Sequence, residues 1–168
     1  FGANVPQRAY EIYGIVVQVP SNYTPSTRTY DGVWDGTFQR QWSDNPVWVL
    51  YDMLSNKRYG LGNYIDVDEV DKYGLYEIAQ YCDGLVDDGQ GGLEPRFTCN
   101  IVIEKQDDAL KVLQLVASAF RGMLYWGAQG DSGIITAVND APADAIKIFT
   151  PANVKDGLFT YSSSASTA

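Results

Sequence analysis

Histidine is absent from the 168 residues of this sequence, and cysteine occurs only twice. Without histidine the chain cannot form a Ser-His-Asp or Cys-His nucleophile, a zinc site with histidine ligands, or an imidazole switch near neutral pH. Two cysteines are also too few for a disulfide framework. Several common kinds of catalytic and structural site are therefore excluded.

Basic residues are scarce as well. Twelve Lys and Arg stand against 21 Asp and Glu, which gives a net charge of −9. A surface this negative repels phosphate backbones, so the sequence predicts no specific nucleic-acid site. No apolar run approaches the roughly 20 residues that a membrane helix needs. The sequence therefore predicts no membrane span either.

The sequence does contain enough apolar residues, 45% of the total, to form a core. It begins at Phe1 without a signal-peptide pattern and ends in a run of Ser, Thr and Ala. We therefore expect a fragment of a larger protein, without a signal peptide, whose last residues (165–168) form a flexible tail.

Hydrophobic periodicity predicts an α+β fold, with mixed small β-sheets packed against about three helices. Helices are predicted at 46–56, 66–82 and 108–121, and most of the third helix is expected to be buried. Strands are predicted at 8–19, on both sides of the Asp35-Gly36 turn, and at 97–103, 123–126, 134–138, 146–149 and 158–161. The order of elements suggests two parts: a β-rich segment ending in a helix (1–60) and an α+β segment (61–164).

No motif in the sequence identifies a catalytic, metal or cofactor site. The acidic run that begins at Asp66 fails the calcium-loop pattern, because Val70 and Asp71 occupy its fifth and sixth positions. Gly60-Leu61-Gly62 lacks the third glycine of a dinucleotide fingerprint and is interpreted as a helix stop and turn. A glycosidase needs a pair of carboxyl groups, and the sequence singles out no pair among its 21 acidic residues.

Aromatic residues are abundant, with four Trp, 12 Tyr and six Phe. They are compatible with a packed core, a sugar-binding platform or a protein interface. Cys82 and Cys99 would form either a disulfide worth about 3 kcal/mol or two free thiols, and free thiols are the favoured interpretation.

Five runs occur together in a recognisable order: WSDNPVW at 42–48, KRYGLG at 57–62, EPRFTCN at 94–100, ASAFRGM at 117–123 and FTYSSS at 159–164. The chain resembles the lambda-type phage tail tip attachment proteins, the host specificity protein J family. The resemblance extends from about residue 8 to residue 164.

This resemblance implies a homotrimer at the distal end of a phage tail, with hub-like domains in its amino-terminal half. The chain would then be a non-enzymatic structural module of the central hub of a phage or prophage tail tip, contributing to assembly, host attachment and DNA delivery. The implied partners are other copies of itself, neighbouring tail-tip proteins and the tape-measure protein. The implied location is the virion tail tip, after synthesis and assembly in the bacterial cytoplasm.

Trimeric assembly would make exposed aromatics interface candidates, and we expect these to be Trp34, Trp42, Trp48 and Trp126. Trp34→Ala is expected to block tail assembly without unfolding the chain. The alternative function is a tail-associated enzyme or a glycan-binding module that acts on cell-envelope sugars. A glycan array and a peptidoglycan-clearing assay separate the two hypotheses, because the structural module predicts no signal in either.

Overall fold

A computed structural model describes residues 9–103, 107–129, 132–142 and 147–159. Within these ranges it contains three α-helices and four two-stranded antiparallel sheets, which confirms the small α+β fold. The helices are α1 (Pro46–Ser55), α2 (Lys72–Asp83) and α3 (Ala109–Ser118). The strands pair as β1 (Val17–Pro20) with β4 (Phe38–Gln41), β2 (Tyr23–Thr24) with β3 (Thr29–Tyr30), β5 (Leu85–Asp87) with β6 (Leu93–Pro95), and β7 (Gly122–Gln129) with β8 (Ser132–Asn139).

The first helix begins and ends where the sequence predicts. The side chain of Asn45 accepts a hydrogen bond from the backbone N–H of Val47 at 3.0 Å, and Pro46 occupies the first helical position. After α1 the chain folds back on itself, and the N–H of Leu61 reaches the carbonyl of Met53 at 2.8 Å. The interpretation of 60–62 as a helix stop and turn is confirmed.

The predicted second helix is wrong in its first part. A 3-10 turn (Val67–Glu69) capped by Asp66 is followed by extended backbone at Val70, and α2 begins only after Asp71. Val70 is extended because it forms a parallel bridge with Ile135 of β8, and the N–H of Asp71 donates to the carbonyl of Ile135 at 2.9 Å. A contact with a distant strand therefore overrides the local helical pattern.

Several predicted strands are also wrong. Residues 97–103 form no strand, because the backbone there bonds to helix ends and loops: the N–H of Cys99 donates to the carbonyl of Asp44 at 2.7 Å. Regular pairing in 8–19 begins only at Val17, and β4 pairs with β1 rather than across the Asp35-Gly36 turn. Residues 147–149 and 158–159 are likewise not strands, and the rest of those two predictions lies outside the described residues.

The long hairpin predicted after the third helix is confirmed as β7–β8, with Gly122 opposite Asn139 and Gln129 opposite Ser132. Two short hairpins, β2–β3 and β5–β6, form where the sequence predicts no strand. None of the helices in the described ranges has the length and apolar character that a membrane crossing requires.

One cluster of buried side chains holds these elements together. Val19 from β1, Trp48 from α1, Leu75 from α2 and Phe120 after α3 are all at most 1% exposed, and Ala137 of β8 joins them. Residues on both sides of position 60 thus contribute to the same core. The division of the chain at residue 60 stays a prediction.

The third helix covers the core with a narrower face than the sequence predicts. Leu113, Val116 and Ala117 are buried, but Leu110 and Leu115 are 58% and 57% exposed. The prediction that most of this helix is buried is therefore wrong. No other element in the described part of the chain covers these two leucines. Leu110 also lines a groove on the surface of the protein.

Candidate interaction surface

The β7–β8 hairpin carries no charged residue on either strand. Side chains opposite one another across the two strands share a face, so Leu124 and Trp126 lie on the same face as Ile135 and Ala137. We call this side the inner face of the hairpin. It packs against the core through Ala137, which is only 8% exposed.

An open groove continues from the inner face between the hairpin and α3. It has a volume of about 200 Å³ and is lined by apolar side chains from four parts of the chain: Leu54, Ile65, Leu110, Leu124, Trp126 and Ile135. A second groove of about 220 Å³ lies on the other side of α3, and Leu113 lines both grooves. The amino-terminal half of α3 is thus flanked by apolar clefts.

The opposite, outer face of the hairpin carries exposed apolar side chains beside a buried polar one, Thr136. Met123 and Val138 are 70% and 49% exposed there, and Tyr125 is 47% exposed and also lines the groove. In a sheet with one face in solvent, outward positions are normally polar. The exposed apolar side chains therefore make this face a candidate interaction surface.

The hairpin is held rigidly by an aspartate at the start of α2. One carboxylate oxygen of Asp71 accepts from the N–H of Gly74 at 2.9 Å and so caps the helix. The other accepts from the hydroxyl of Thr136, a buried residue of β8, also at 2.9 Å. The N–H of Asp71 also donates to the carbonyl of Ile135, and its carbonyl accepts from the N–H of Leu75 at 3.0 Å. Four hydrogen bonds therefore meet at this residue, and two of them reach β8.

Acidic residues occur close in sequence to residues that line the grooves. Asp66 and Asp68 are exposed on the 3-10 turn that packs against β8 and follows the groove residue Ile65. Asp107 lines the second groove, and Asp108 caps α3. Of these four residues, Asp107 is the one that lines a groove.

Trp34 and Trp48 do not belong to this surface. Trp48 is fully buried and Trp34 is 8% exposed, with their ring centroids 6.3 Å apart in a cluster that also includes Phe38, Tyr51 and Tyr76. With Trp34 packed in this cluster, we now expect Trp34→Ala to destabilise the chain, in place of the expectation that it leaves the fold unchanged.

Trp42 and Trp126 retain exposed surface. Trp42 is half-buried and makes an edge-to-face contact with Tyr13, at 5.0 Å between ring centroids. Trp126 is 61% exposed, and its indole lies over Gly133, where any Cβ would collide with the ring. Trp126 is the candidate that lies within the groove. The rest of the surface was missed, although the lack of charge in each of the two eight-residue strands was visible in the sequence.

A buried ion-pair network lies elsewhere in the molecule and has a structural role. The guanidinium of Arg28 donates to Asp44 at 2.6 Å and to Asp83 at 2.9 Å, and Tyr30 donates its hydroxyl proton to Asp83 at 2.7 Å. Burial, reinforced by the Asp83 charge, raises the pKa of Tyr30 above its usual value. These contacts tie β3 to the start of α1 and the end of α2.

Both cysteines are free, as expected, and neither is activated. Burial raises the pKa of the Cys82 thiol to about 12, and it also raises the pKa of Cys99. Among the described residues, no group of three or more Asp, Glu or Cys is placed to hold a metal ion.

Comparison with known proteins finds clear relatives, although no protein-family model matches the sequence. The chain is 43% identical over 161 residues to the tip attachment protein J of Escherichia phage SECphi27, covering 96% of this chain and 13% of that protein. It is 45% identical over 161 residues to the tip attachment protein J of Escherichia phage SECphi4, covering 95% of this chain and 14% of that protein. The chain thus spans about one seventh of these relatives, and over that segment it belongs to the phage tip attachment protein J family.

Proposed function

We propose that this chain is a structural module of a phage tail tip, and that the hairpin and its grooves attach it to other parts of the tail. Similarity to two tip attachment proteins supports the location. The observation that carries the docking role is the β7–β8 hairpin, whose strands carry no charged residue and which exposes Met123, Tyr125, Trp126 and Val138.

The finer parts of the proposal concern the complete protein. They are a trimeric central hub, contacts with neighbouring tail-tip proteins and the tape-measure protein, roles in host attachment and DNA delivery, and assembly in the bacterial cytoplasm. An assembly module of this kind acts by binding, so we propose no enzymatic activity. The names of the relatives describe attachment and do not favour the alternative of an envelope-degrading or glycan-binding module.

The test uses the intact gene in a phage that depends on it. Met123→Lys places a charge on the outer face of the hairpin, whereas Val33→Lys places the same charge on a side chain that is 99% exposed and far from β7 in the sequence. Both positions are exposed, so each substitution should change the free energy of unfolding by less than about 0.5 kcal/mol.

We expect Met123→Lys to reduce incorporation of the protein into finished tails and Val33→Lys to leave it unchanged. Quantitative mass spectrometry of purified tails, calibrated against the tail-tube protein, measures the incorporation of both variants. The same measurement gives the copy number of the protein per tail, which is about three in a threefold hub. Absence of the unmodified protein from tails would overturn the structural role. Normal incorporation of Met123→Lys would overturn the docking role of the hairpin.

A further inference from the structure

We propose that the Asp31-Gly32 pair is a site of covalent modification, at which Asp31 converts spontaneously to isoaspartate through a succinimide. This inference is independent of the proposed function and concerns a loop that lies outside the hairpin and its grooves. It follows from a comparison of the Asp-Gly pairs in the chain. The sequence contains five of them, at 31–32, 35–36, 83–84, 88–89 and 156–157.

The reaction needs a carboxyl group and a peptide nitrogen that are both free to meet. The nitrogen of the glycine bonds to Cγ of the aspartate and loses its proton, and a carboxyl oxygen leaves as water. Water then opens the succinimide. Breaking the bond from the nitrogen to Cγ restores aspartate, whereas breaking the bond from the nitrogen to the backbone carbonyl carbon leaves isoaspartate. Glycine favours the attack because it has no Cβ to obstruct it.

Asp31-Gly32 meets these requirements. Both residues are exposed. Within the described ranges, the carboxylate of Asp31 forms no hydrogen bond or ion pair, and the N–H of Gly32 donates to no other group. A Cβ built on Gly32 would meet nothing within 4 Å, so the space beside this glycine is open. The two reacting groups are therefore unrestrained.

Two of the other pairs hold the carboxylate. Asp35 accepts from the hydroxyl of Thr37 at 2.6 Å and from its N–H at 2.9 Å, and these bonds lower the pKa of Asp35. Asp88 accepts from the N–H groups of Gln90 at 2.7 Å and Gly92 at 2.9 Å, which lower the pKa of Asp88 in the same way. Both side chains are thus held as anions, whereas the ring closes on a neutral carboxyl group.

The remaining two pairs hold the peptide nitrogen. The N–H of Gly84, at the end of α2, donates to the carbonyl of Gln80 at 3.1 Å. The N–H of Gly157 donates to the carbonyl of Val154, also at 3.1 Å. Each nitrogen must break a hydrogen bond before it can attack. In the part of the chain that the structure describes, Asp31-Gly32 is therefore the pair in which neither reacting group is held.

Isomerisation would alter the chain beside a buried tryptophan. The N–H of Asp31 donates to the carbonyl of Asn22 at 2.8 Å. Trp34 is 8% exposed, and its Nε1 donates to the carbonyl of Thr37 at 2.6 Å. Isoaspartate lengthens the backbone by a methylene group, and this addition falls between the two anchored residues.

The test follows the 168-residue chain during prolonged incubation at neutral pH and physiological temperature. Peptide mapping with electron-transfer dissociation distinguishes isoaspartate from aspartate at every Asp-Gly pair. We expect isoaspartate to form at Asp31 at least ~10-fold faster than at Asp35 or Asp88, because those carboxylates must first break their hydrogen bonds. A parallel incubation in concentrated urea removes the folded structure, and there the advantage of Asp31 should disappear.

Variants check the site and the restraint separately. Asp31→Glu is expected to abolish the modification at this position, because glutamate must close a larger ring, and to leave the other pairs unchanged. Thr37→Val removes a hydroxyl that bonds to Asp35 and should speed isomerisation at Asp35. Thr27→Val, in the turn between β2 and β3, is the matched control and should not. Circular dichroism verifies that each variant is folded.

Equal rates at Asp31 and Asp35 in the folded chain, or no isoaspartate at Asp31, would overturn the proposal. A preference for Asp31 that persists in urea would show that the local sequence, and not the fold, selects the site. None of these results depends on whether the protein is found in purified tails, so failure of this inference is distinguishable from failure of the proposed function.

Discussion

At the scale of single residues, buried polar groups are either well paired or conspicuously unpaired. Asp83, with a side chain 2% exposed, is paired with Arg28 and Tyr30. By contrast, the hydroxyl of the fully buried Tyr51 has no hydrogen-bond partner in the described part of the chain. Unpaired buried hydroxyls cost stability, whereas removing one partner of a buried pair leaves the other without compensation. Removing a partner of Asp83 should therefore destabilise the chain, whereas removing the hydroxyl of Tyr51 should not.

Arg28→Ala is expected to lower the free energy of unfolding by about 3 kcal/mol, because it leaves Asp83 buried without its counter-charge. Arg40→Ala provides the control, since Arg40 is 54% exposed and lies 3.9 Å from the buried Asp52. That variant should lose less than about 1 kcal/mol. Urea unfolding at neutral pH measures both losses, and equal losses would contradict a special role for the Arg28 network.

Tyr51→Phe is expected to leave stability at neutral pH unchanged or to raise it by up to about 1 kcal/mol, because it removes the unpaired hydroxyl. Burial raises the pKa of Tyr51 to about 12, with the charges of Asp68 and Asp52 contributing. The folded state therefore holds this proton more tightly than the unfolded state does. The contribution of protonated Tyr51 to the free energy of unfolding is complete below about pH 10 and is lost as pH rises towards about 12.

The measurement is urea unfolding at several pH values between neutral and about 11, within that window. The loss of stability at alkaline pH should be smaller in Tyr51→Phe than in the unmodified chain. Tyr64→Phe is the control, because Tyr64 is 86% exposed. The same alkaline loss in both variants would show that Tyr51 is not the group responsible.

At the scale of elements, the chain between α1 and α2 decides how the hairpin is placed. The segment 66–71 is not α-helical because Val70 and Asp71 bond to β8, and this bridging positions the hairpin against the core. The elements with strong local signals, α1 and the long hairpin, formed as expected. Elements that depend on a distant partner, such as β1 with β4, did not follow the local pattern.

Asp71→Ala is expected to lower the free energy of unfolding by about 2–3 kcal/mol, through loss of the α2 cap and of the buried partner of Thr136. Asp71→Asn should lose less, since an amide oxygen still accepts one of these bonds. Urea unfolding gives the energies, and hydrogen exchange at β8 shows whether the hairpin loosens. Unchanged β8 protection in Asp71→Ala would rule out this residue as the link.

At the scale of the whole molecule, a single core coexists with a large exposed apolar surface. Val19, Trp48 and Phe120 belong to one buried cluster, although they lie on both sides of residue 60. Outside this cluster, apolar residues are exposed to solvent along the hairpin and α3. They are also exposed in the extended segment before β1, where Ile12 is 79% exposed. Exposed apolar surface of this extent is typical of interaction sites.

The shared core predicts one cooperative unfolding transition for the isolated chain. Tryptophan fluorescence, dominated by the buried Trp34 and Trp48, and far-UV circular dichroism over all three helices should give the same urea midpoint. Two separate transitions would instead support independent segments at 1–60 and 61–164.

The sequence by itself determined the composition-based exclusions, the α+β class, α1 and the β7–β8 hairpin. These rest on local signals: the Asn45 cap with Pro46, and strand periodicity on both sides of a turn. Its five recognisable runs also identified the family, which the two relatives confirm.

Only the tertiary structure decided which apolar residues are buried and where the functional surface lies. Trp48 and Trp126 are the same residue type in similar apolar surroundings, yet one is fully buried and the other is 61% exposed. Local periodicity cannot distinguish them, because burial depends on which distant elements pack against each position.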